Sequence, residues 1–314
     1  MIKQAVIMSL LFVMCSYAQK PAEIGFVTEN DLYTSPVNDQ YYTNGFEIFY
    51  RYLGNTKNEK IAKRITEFKV GQHIYNPQSA AAGEIQYHDR PFAGYLFAEA
   101  CISTFYKNEN VFKVTFQVGV VGPESQAQQV QEGLHTIFGY HTVKGWEYQI
   151  ATIPAVQGSI FYSHKILKET LGNKADFNLQ GEVHTGTVWT GASAGVMARI
   201  SLKGLLLSIF DSNLHNAALN HNKDAYKEQR ELYLYVSPKL NYQVYDGTIQ
   251  GSLFNDNSPV TFPIIPFRFN AEAGIKFRYN NWSLYYSFNY RGKELSNNVI
   301  SGYYYGSVGI GYLL

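Results

Sequence analysis

The stretch FNAEAGIKFRYNNWSLYYSFNY, residues 269–290, decides the fold class. Phe269, Ala271, Ala273, Ile275, Phe277 and Tyr279 fall on one face of an extended chain, and Asn270, Glu272, Gly274, Lys276 and Arg278 on the other. Asn280 and Asn281 supply a turn, after which Trp282, Leu284, Tyr286, Phe288 and Tyr290 resume the apolar face. Two alternating runs joined by a two-residue asparagine turn make a β-hairpin. Each run is close to the roughly 10 residues that a tilted strand needs to cross a bilayer.

The same period recurs along the chain. In residues 111–120, Phe112, Val114, Phe116, Val118 and Val120 share one face, and Lys113, Thr115, Gln117 and Gly119 the other. Comparable stretches cover 46–53, 93–106, 149–163, 178–189, 192–202 and 232–245, and the chain closes on Tyr304, Val308, Ile310, Tyr312 and Leu314. The expected total is about twelve strands, many of bilayer-crossing length. Phe, Trp and Tyr make up 16% of the sequence, with 26 tyrosines and 26 glycines, a composition that suits aromatic girdles at two lipid–water boundaries. A tyrosine-rich soluble sandwich has the same composition, with its polar faces in solvent instead of in a lumen. The aromatic strand ends, the terminal strand and the leader described next favour the barrel. The expectation is therefore an all-β fold, an antiparallel transmembrane β-barrel of about 12 strands, with a short helix near the active site.

Residues 1–18 read as a signal peptide. Lys3 is the positive region, residues 5–14 are apolar, and Ser16-Tyr17-Ala18 places small residues where a signal peptidase reads. Cleavage is expected after Ala18, leaving 19–314 as one outer-membrane barrel of a Gram-negative bacterium. Met14 before Cys15 is too bulky for a usual lipobox. Cys101 is then the one remaining cysteine, so no disulfide can form within the chain, and it reads as a small packing residue. The 26 basic residues against 25 acidic ones balance once Lys3 is removed, which gives no basic footprint for nucleic acid.

Two regions break the alternation. Residues 124–140 read as a helix, with Val130, Leu134, Ile137 and Phe138 on one stripe and Gln131 and His135, four apart, together on another face. Residues 211–230 are polar and read as an extracellular loop. The chemistry-bearing candidates lie near such breaks. Glu29-Asn30-Asp31 ends a strand with oxygens able to bind a hard cation, or is ordinary turn chemistry. Tyr42-Thr43-Asn44-Gly45 opens the next strand and presents the Thr43 hydroxyl. His135 can serve as a general base if a carbonyl or carboxylate holds its other ring nitrogen; alternatively, its helix merely plugs or packs the lumen. No zinc motif or phosphate-binding loop is present, and Ser163 and His164, adjacent on a strand, point to opposite faces.

Taken in order, these pieces resemble the lipid A 3′-O-deacylase family of outer-membrane barrels. The resemblance rests on Glu29-Asn30-Asp31, Tyr42-Thr43-Asn44-Gly45, Gly71-Gln72-His73-Ile74-Tyr75-Asn76-Pro77 and Asp89-Arg90-Pro91-Phe92-Ala93-Gly94. It continues through Gly119-Val120-Val121-Gly122-Pro123, Gln131, His135, Gly145-Trp146, Gln149, Tyr245-Asp246-Gly247 and Tyr304-Tyr305-Gly306-Ser307. It implies a twelve-stranded barrel and a calcium-dependent esterase, with a mechanism like that of secreted phospholipases. The implied reaction removes the 3′ acyloxyacyl chain from lipid A, the lipid anchor of lipopolysaccharide, in the outer leaflet. By the same resemblance His135 activates water, Asp31 and Asn30 hold Ca2+, and Gln131 and Thr43 position substrate, water or metal; a monomer is expected. The sequence departs from that pattern in residues 78–83, which carry no lysine, and at His141, where members have an acidic residue. The other readings are a non-catalytic barrel that binds lipid or is structural, and a phospholipase of similar mechanism.

Overall fold

The computed structural model describes residues 20–34, 41–78, 82–141, 143–170, 172–222, 230–297 and 299–314. Residues 1–18, expected as a signal peptide, lie outside them, as do 79–81 of the loop lacking a lysine. Twelve strands follow one another: β1 (Ala22–Asn30), β2 (Tyr41–Gly54), β3 (Ile61–Asn76), β4 (Ala93–Tyr106), β5 (Val111–Val121), β6 (Ile153–Thr170), β7 (Ala175–Gly186), β8 (Trp189–Ser201), β9 (Arg230–Asp246), β10 (Phe267–Tyr279), β11 (Trp282–Gly292) and β12 (Gly302–Leu313). Each pairs antiparallel with its sequence neighbours, and β1 pairs with β12, from Glu23↔Leu313 to Asn30↔Gly306, to close the barrel. Closure matters because an open sheet edge in lipid leaves backbone groups without partners.

The opening hairpin forms as read, with Tyr279 opposite Trp282 and Asn280 in the left-handed region at φ 52°. Asparagine tolerates that conformation. The apolar members of each strand face outward: Phe116 on β5 is 53% exposed and Phe269 on β10 is 48% exposed, in the direction lipid occupies. The alternate members line the lumen, which is filled by paired charges. Arg51 lies 3.2 Å from Glu23 and 2.6 Å from Glu67, and Lys69 lies 3.0 Å from Glu47. Cys101 is a buried free thiol facing this interior. Among the described residues no helix is long and apolar enough to cross a membrane.

Two stretches differ from the sequence expectation. Residues 178–189 contain a strand end, a tight turn at Thr187 and Val188, and the first residue of β8. Gly186 just before it is the one turn signal, and neither Thr187 nor Val188 is a turn-favouring residue, so local composition reveals it only weakly. Of residues 211–230, expected as an extracellular loop, the described part 211–222 belongs to the opposite end. The start of β1 and the end of β12 lie at that end, with the short turns 55–60, 107–110 and 280–281, while most of the longer connections gather at the other. In such barrels the short turns are periplasmic. Polarity cannot assign a side; the count of preceding strands can. Residues 202–222, after β8, fold back into the lumen, where Ile209, Leu214, Ala217, Ala218 and Leu219 pack against Leu53, Ile65, Phe105 and Met197.

Candidate active site

The site is built on the outside of the wall. On β1, Ile24 and Phe26 face lipid, so Asn30 ends the same face; on β3, Phe68 and Val70 put Gln72, Ile74 and Asn76 there. On β2 the register shifts between Tyr42 and Asn44, making Thr43 an extra residue. Such a bulge re-aims a side chain. Tyr42 stays in the lumen opposite Tyr75, while the Thr43 hydroxyl donates to Asn76 Oδ1 on the outer face. Asn30 and Asn44 are register partners, and Asn30 Nδ2 donates to Asn44 Oδ1 at 2.7 Å.

Asn30 Oδ1 also accepts from Leu32 N at 2.7 Å, capping the single 3-10 turn Asp31–Tyr33. Asp31 is 1% exposed, and its carbonyl accepts from Thr34 N and Oγ1 at 3.0 and 2.8 Å. This carboxylate, the amides of Asn30, Asn44 and Asn76, and the Thr43 hydroxyl are the oxygen-bearing side chains on this stretch of β1 to β3 and the turn after β1. No cluster of three His, Cys, Asp or Glu suited to a metal occurs among the described residues.

The helix α1 (Ala127–Phe138) lies over this face, so it packs the outer wall and does not plug the lumen. Gly94 of β4 permits the approach: a Cβ there would sit 2.1 Å from Ser125 Oγ and 2.2 Å from the Ala127 methyl. Gln72 Nε2 donates to the Ser125 carbonyl at 2.6 Å. One turn further, the fully buried Gln131 donates to Asn76 Oδ1 at 3.4 Å and accepts from Trp146 Nε1 at 2.8 Å. Trp146 stacks on Phe92, and Gly145 before it (φ 108°) passes so close to the Ala82 carbonyl that no side chain fits.

His135 follows Gln131 by one turn and is half-buried. Its Nδ1 is bonded to the His141 carbonyl. A carbonyl only accepts, so Nδ1 is the donor, the tautomer that in a neutral ring leaves the lone pair on Nε2. Gly139 caps the helix at φ 73°, and Tyr140 lies edge-on to the imidazole at 5.6 Å.

The family described as outer membrane protein LpxR matches residues 5–314. The chain belongs to this family. Among solved structures, LpxR from Salmonella typhimurium is similar in fold, with 20% identity, 92% of this chain and 99% of that chain covered, and a TM-score of 0.73. The β domain of the Bordetella autotransporter BrkA is a more distant likeness, with 9% identity, coverage of 93% and 98%, and a TM-score of 0.47. No curated protein matches the sequence.

In this LpxR-family barrel, Thr43, Asn76, Gln131 and Trp146 are joined in one hydrogen-bonded chain. Asn30 joins Asn44 beside it, Asp31 follows on the next residue, and His135 stands one helical turn beyond Gln131. Asn44, Asn76 and Trp146 stand in the quoted motifs but were given no role by the sequence reading. Asn76 had a signal in its strand parity with Phe68 and Val70; the Trp146 contact depends on the loop's path. Arg90 is turned to the lumen side, with its guanidinium 4.4 Å from the Tyr75 ring and donating to Thr248 Oγ1 at 3.0 Å. Lys144, from the α1–β6 loop, lies against Gly83 in the loop that lacks a lysine. A cavity of about 440 Å³ fills the outer half of the lumen, lined by Glu29, Tyr42, Tyr75, Trp189 and Tyr305; the wall separates it from the Thr43–Asn76 face.

Proposed function

We propose that the chain is a calcium-dependent esterase that hydrolyses the 3′-acyloxyacyl ester of lipid A, in lipopolysaccharide of the outer leaflet. One observation carries this reading: a buried polar set, with an oriented histidine above it, sits at the outer rim on the lipid-facing side of the wall. A substrate reaching it from the membrane plane presents an acyl ester at the boundary between headgroup and chains.

His135 Nε2 takes a proton from water as that water attacks the ester carbonyl, and the His141 carbonyl holds the ring as it becomes an imidazolium. Gln131 and Thr43, tied through Asn76, position water and substrate against the wall. Asp31 and Asn30 would hold Ca2+: one buried carboxylate among amide and hydroxyl oxygens fits a hard cation with few charged ligands. The ion when bound supplies positive charge for the developing oxyanion. Every residue of the set comes from one closed barrel, which supports a monomer, and residues 1–18 are proposed to be removed on export.

Mass spectrometry of lipid A from cells making this protein, with calcium and with chelator, tests the reading. Loss of the 3′ acyl chains in calcium alone is expected. Intact lipid A in both conditions would refute it, and release of acyl chains from phospholipid instead would replace the substrate while keeping the chemistry.

A further inference from the structure

The end of α1 leaves an apolar edge bare. Ile137 is 75% exposed, Phe138 66% and Tyr140 54%, and Leu134 is only partly covered. Residues 133–140 contain no Asp, Glu, Lys or Arg. Phe138 continues the stripe begun by Val130, which packs against the buried Phe92 and Trp146 cluster. Gln131 has Asn76 and Trp146 against it, whereas the ring beside Phe138 is that of Tyr140, at 6.2 Å. The sequence pattern therefore makes an apolar face that the wall covers only over its first turns.

We propose that this edge is seated in the acyl chains of the outer leaflet. Continuity with the lipid-facing belt identifies the occupant. The helix lies on the outside of β3 and β4, the same side as Phe68 (50% exposed) and Val70 (58%). Beside the Asn30–Asn44 pair, the outer wall becomes apolar within two residues, where Phe46 on β2 stacks with Phe26 on β1 at 6.4 Å. Leu32 and Tyr33, exposed in the turn after Asn30, lie along the same rim. An uncharged helix end with a bulky apolar edge, flanked by tyrosines, has the character of a segment lying in an interface plane. Its seating brings His135 to the depth at which an acyl chain joins its headgroup. The inference rests on the membrane placement of this barrel and adds lipid engagement to the esterase reading.

The test labels single cysteines with an environment-sensitive fluorophore in a protein free of other cysteines, refolded into phosphatidylcholine vesicles. Labels go at Ile137→Cys and Phe138→Cys, with Ile48→Cys in the belt and Lys57→Cys in a periplasmic turn as controls. Replacing the lipid with one brominated in its acyl chains is expected to quench 137 and 138 about as strongly as 48, and to leave 57 unchanged. Quenching at 137 and 138 no greater than at 57 overturns the proposal, including the case where labels on two copies contact each other instead. Both sites are exposed, so the variants fold, which retention of the heat-modifiable band on gels checks. Hydrolysis plays no part in the readout, so failure of the esterase reading leaves the test standing.

Discussion

The two segments that leave the barrel wall, α1 at the outer rim and the 202–222 stretch at the periplasmic end, use opposite means to stay in place. The periplasmic segment is anchored by buried charge. Arg199 pairs with Asp176 at 2.8 Å and donates to Ser212 Oγ and the Leu207 carbonyl at 2.7 and 2.8 Å. Lys63 reaches Asp211 at 3.2 Å, and Asn213 is held by Tyr233 and Glu231, each at 2.8 Å. The rim helix has a glycine-made seat, one buried glutamine and an apolar edge with no protein over it. A segment tied by desolvated ion pairs has little freedom to admit a ligand; one held at its first turns leaves a face for substrate. On this division the periplasmic segment is expected to serve stability and the rim to serve the proposed chemistry.

That division can be broken at several points. The largest effect is expected from His135→Ala, which lowers ester hydrolysis by about 10²–10⁴-fold, the usual range for a lost general base. Its urea midpoint stays at the wild-type value; an active His135→Ala protein would remove the histidine from the mechanism. Arg199→Met leaves Asp176 buried with Lys165, 3.6 Å away, as the remaining cation beside it and a long hydrogen bond from Asn178 at 3.5 Å. Losing one partner of a buried pair costs about 3–5 kcal/mol, so this midpoint drops sharply while turnover of the folded fraction is unchanged. A normal midpoint would mean that the periplasmic segment does not stabilise the barrel.

Asn76→Leu removes the acceptor shared by Thr43 and Gln131. Hydrolysis falls by about tenfold, or ~1.4 kcal/mol at the barrier, and unfolding shifts less than for Arg199→Met. A larger loss of stability than of activity would move Asn76 from positioning to structure. The smallest effect concerns His215, in the periplasmic segment. Burial, then the charges of Lys113, Lys276, Lys239 and Arg199, hold its pKa well below the usual histidine value. Its folded pKa lies below its unfolded one, so the unfolded chain takes up the proton first as pH falls. The stability of the neutral form is present above the unfolded pKa and declines below it. The urea midpoint should fall between about pH 7 and about pH 5, and His215→Gln should flatten that decline. An unaltered slope in the variant would place the acid sensitivity elsewhere.

The barrel was legible because each strand must satisfy lipid on one side and water-like polarity on the other, a constraint written into every second residue. Residues 269–290 show this, since Phe269 and Asn270 take opposite faces with no knowledge of the rest of the chain. The helix was legible for the same reason at a different period. Its surroundings were not. Val130, Leu134, Ile137 and Phe138 read as one packing stripe, yet the structure partly buries Val130 and leaves Phe138 bare. Which part of a stripe meets protein depends on where the preceding strand delivers the helix.

By itself, then, the sequence determined the period-two strands, the one helix with Gln131 and His135 a turn apart, and the acid–amide pair at Asn30 and Asp31. Only the tertiary structure decided that the wall presents Asn30, Thr43 and Asn76 on its outer face, that the 202–222 segment closes the periplasmic end, and that α1 lies outside the barrel. The reason is range. Alternation and helical period are local consequences of backbone geometry, whereas side of membrane and side of wall depend on strand count, a one-residue bulge at Thr43 and the absence of a Cβ at Gly94.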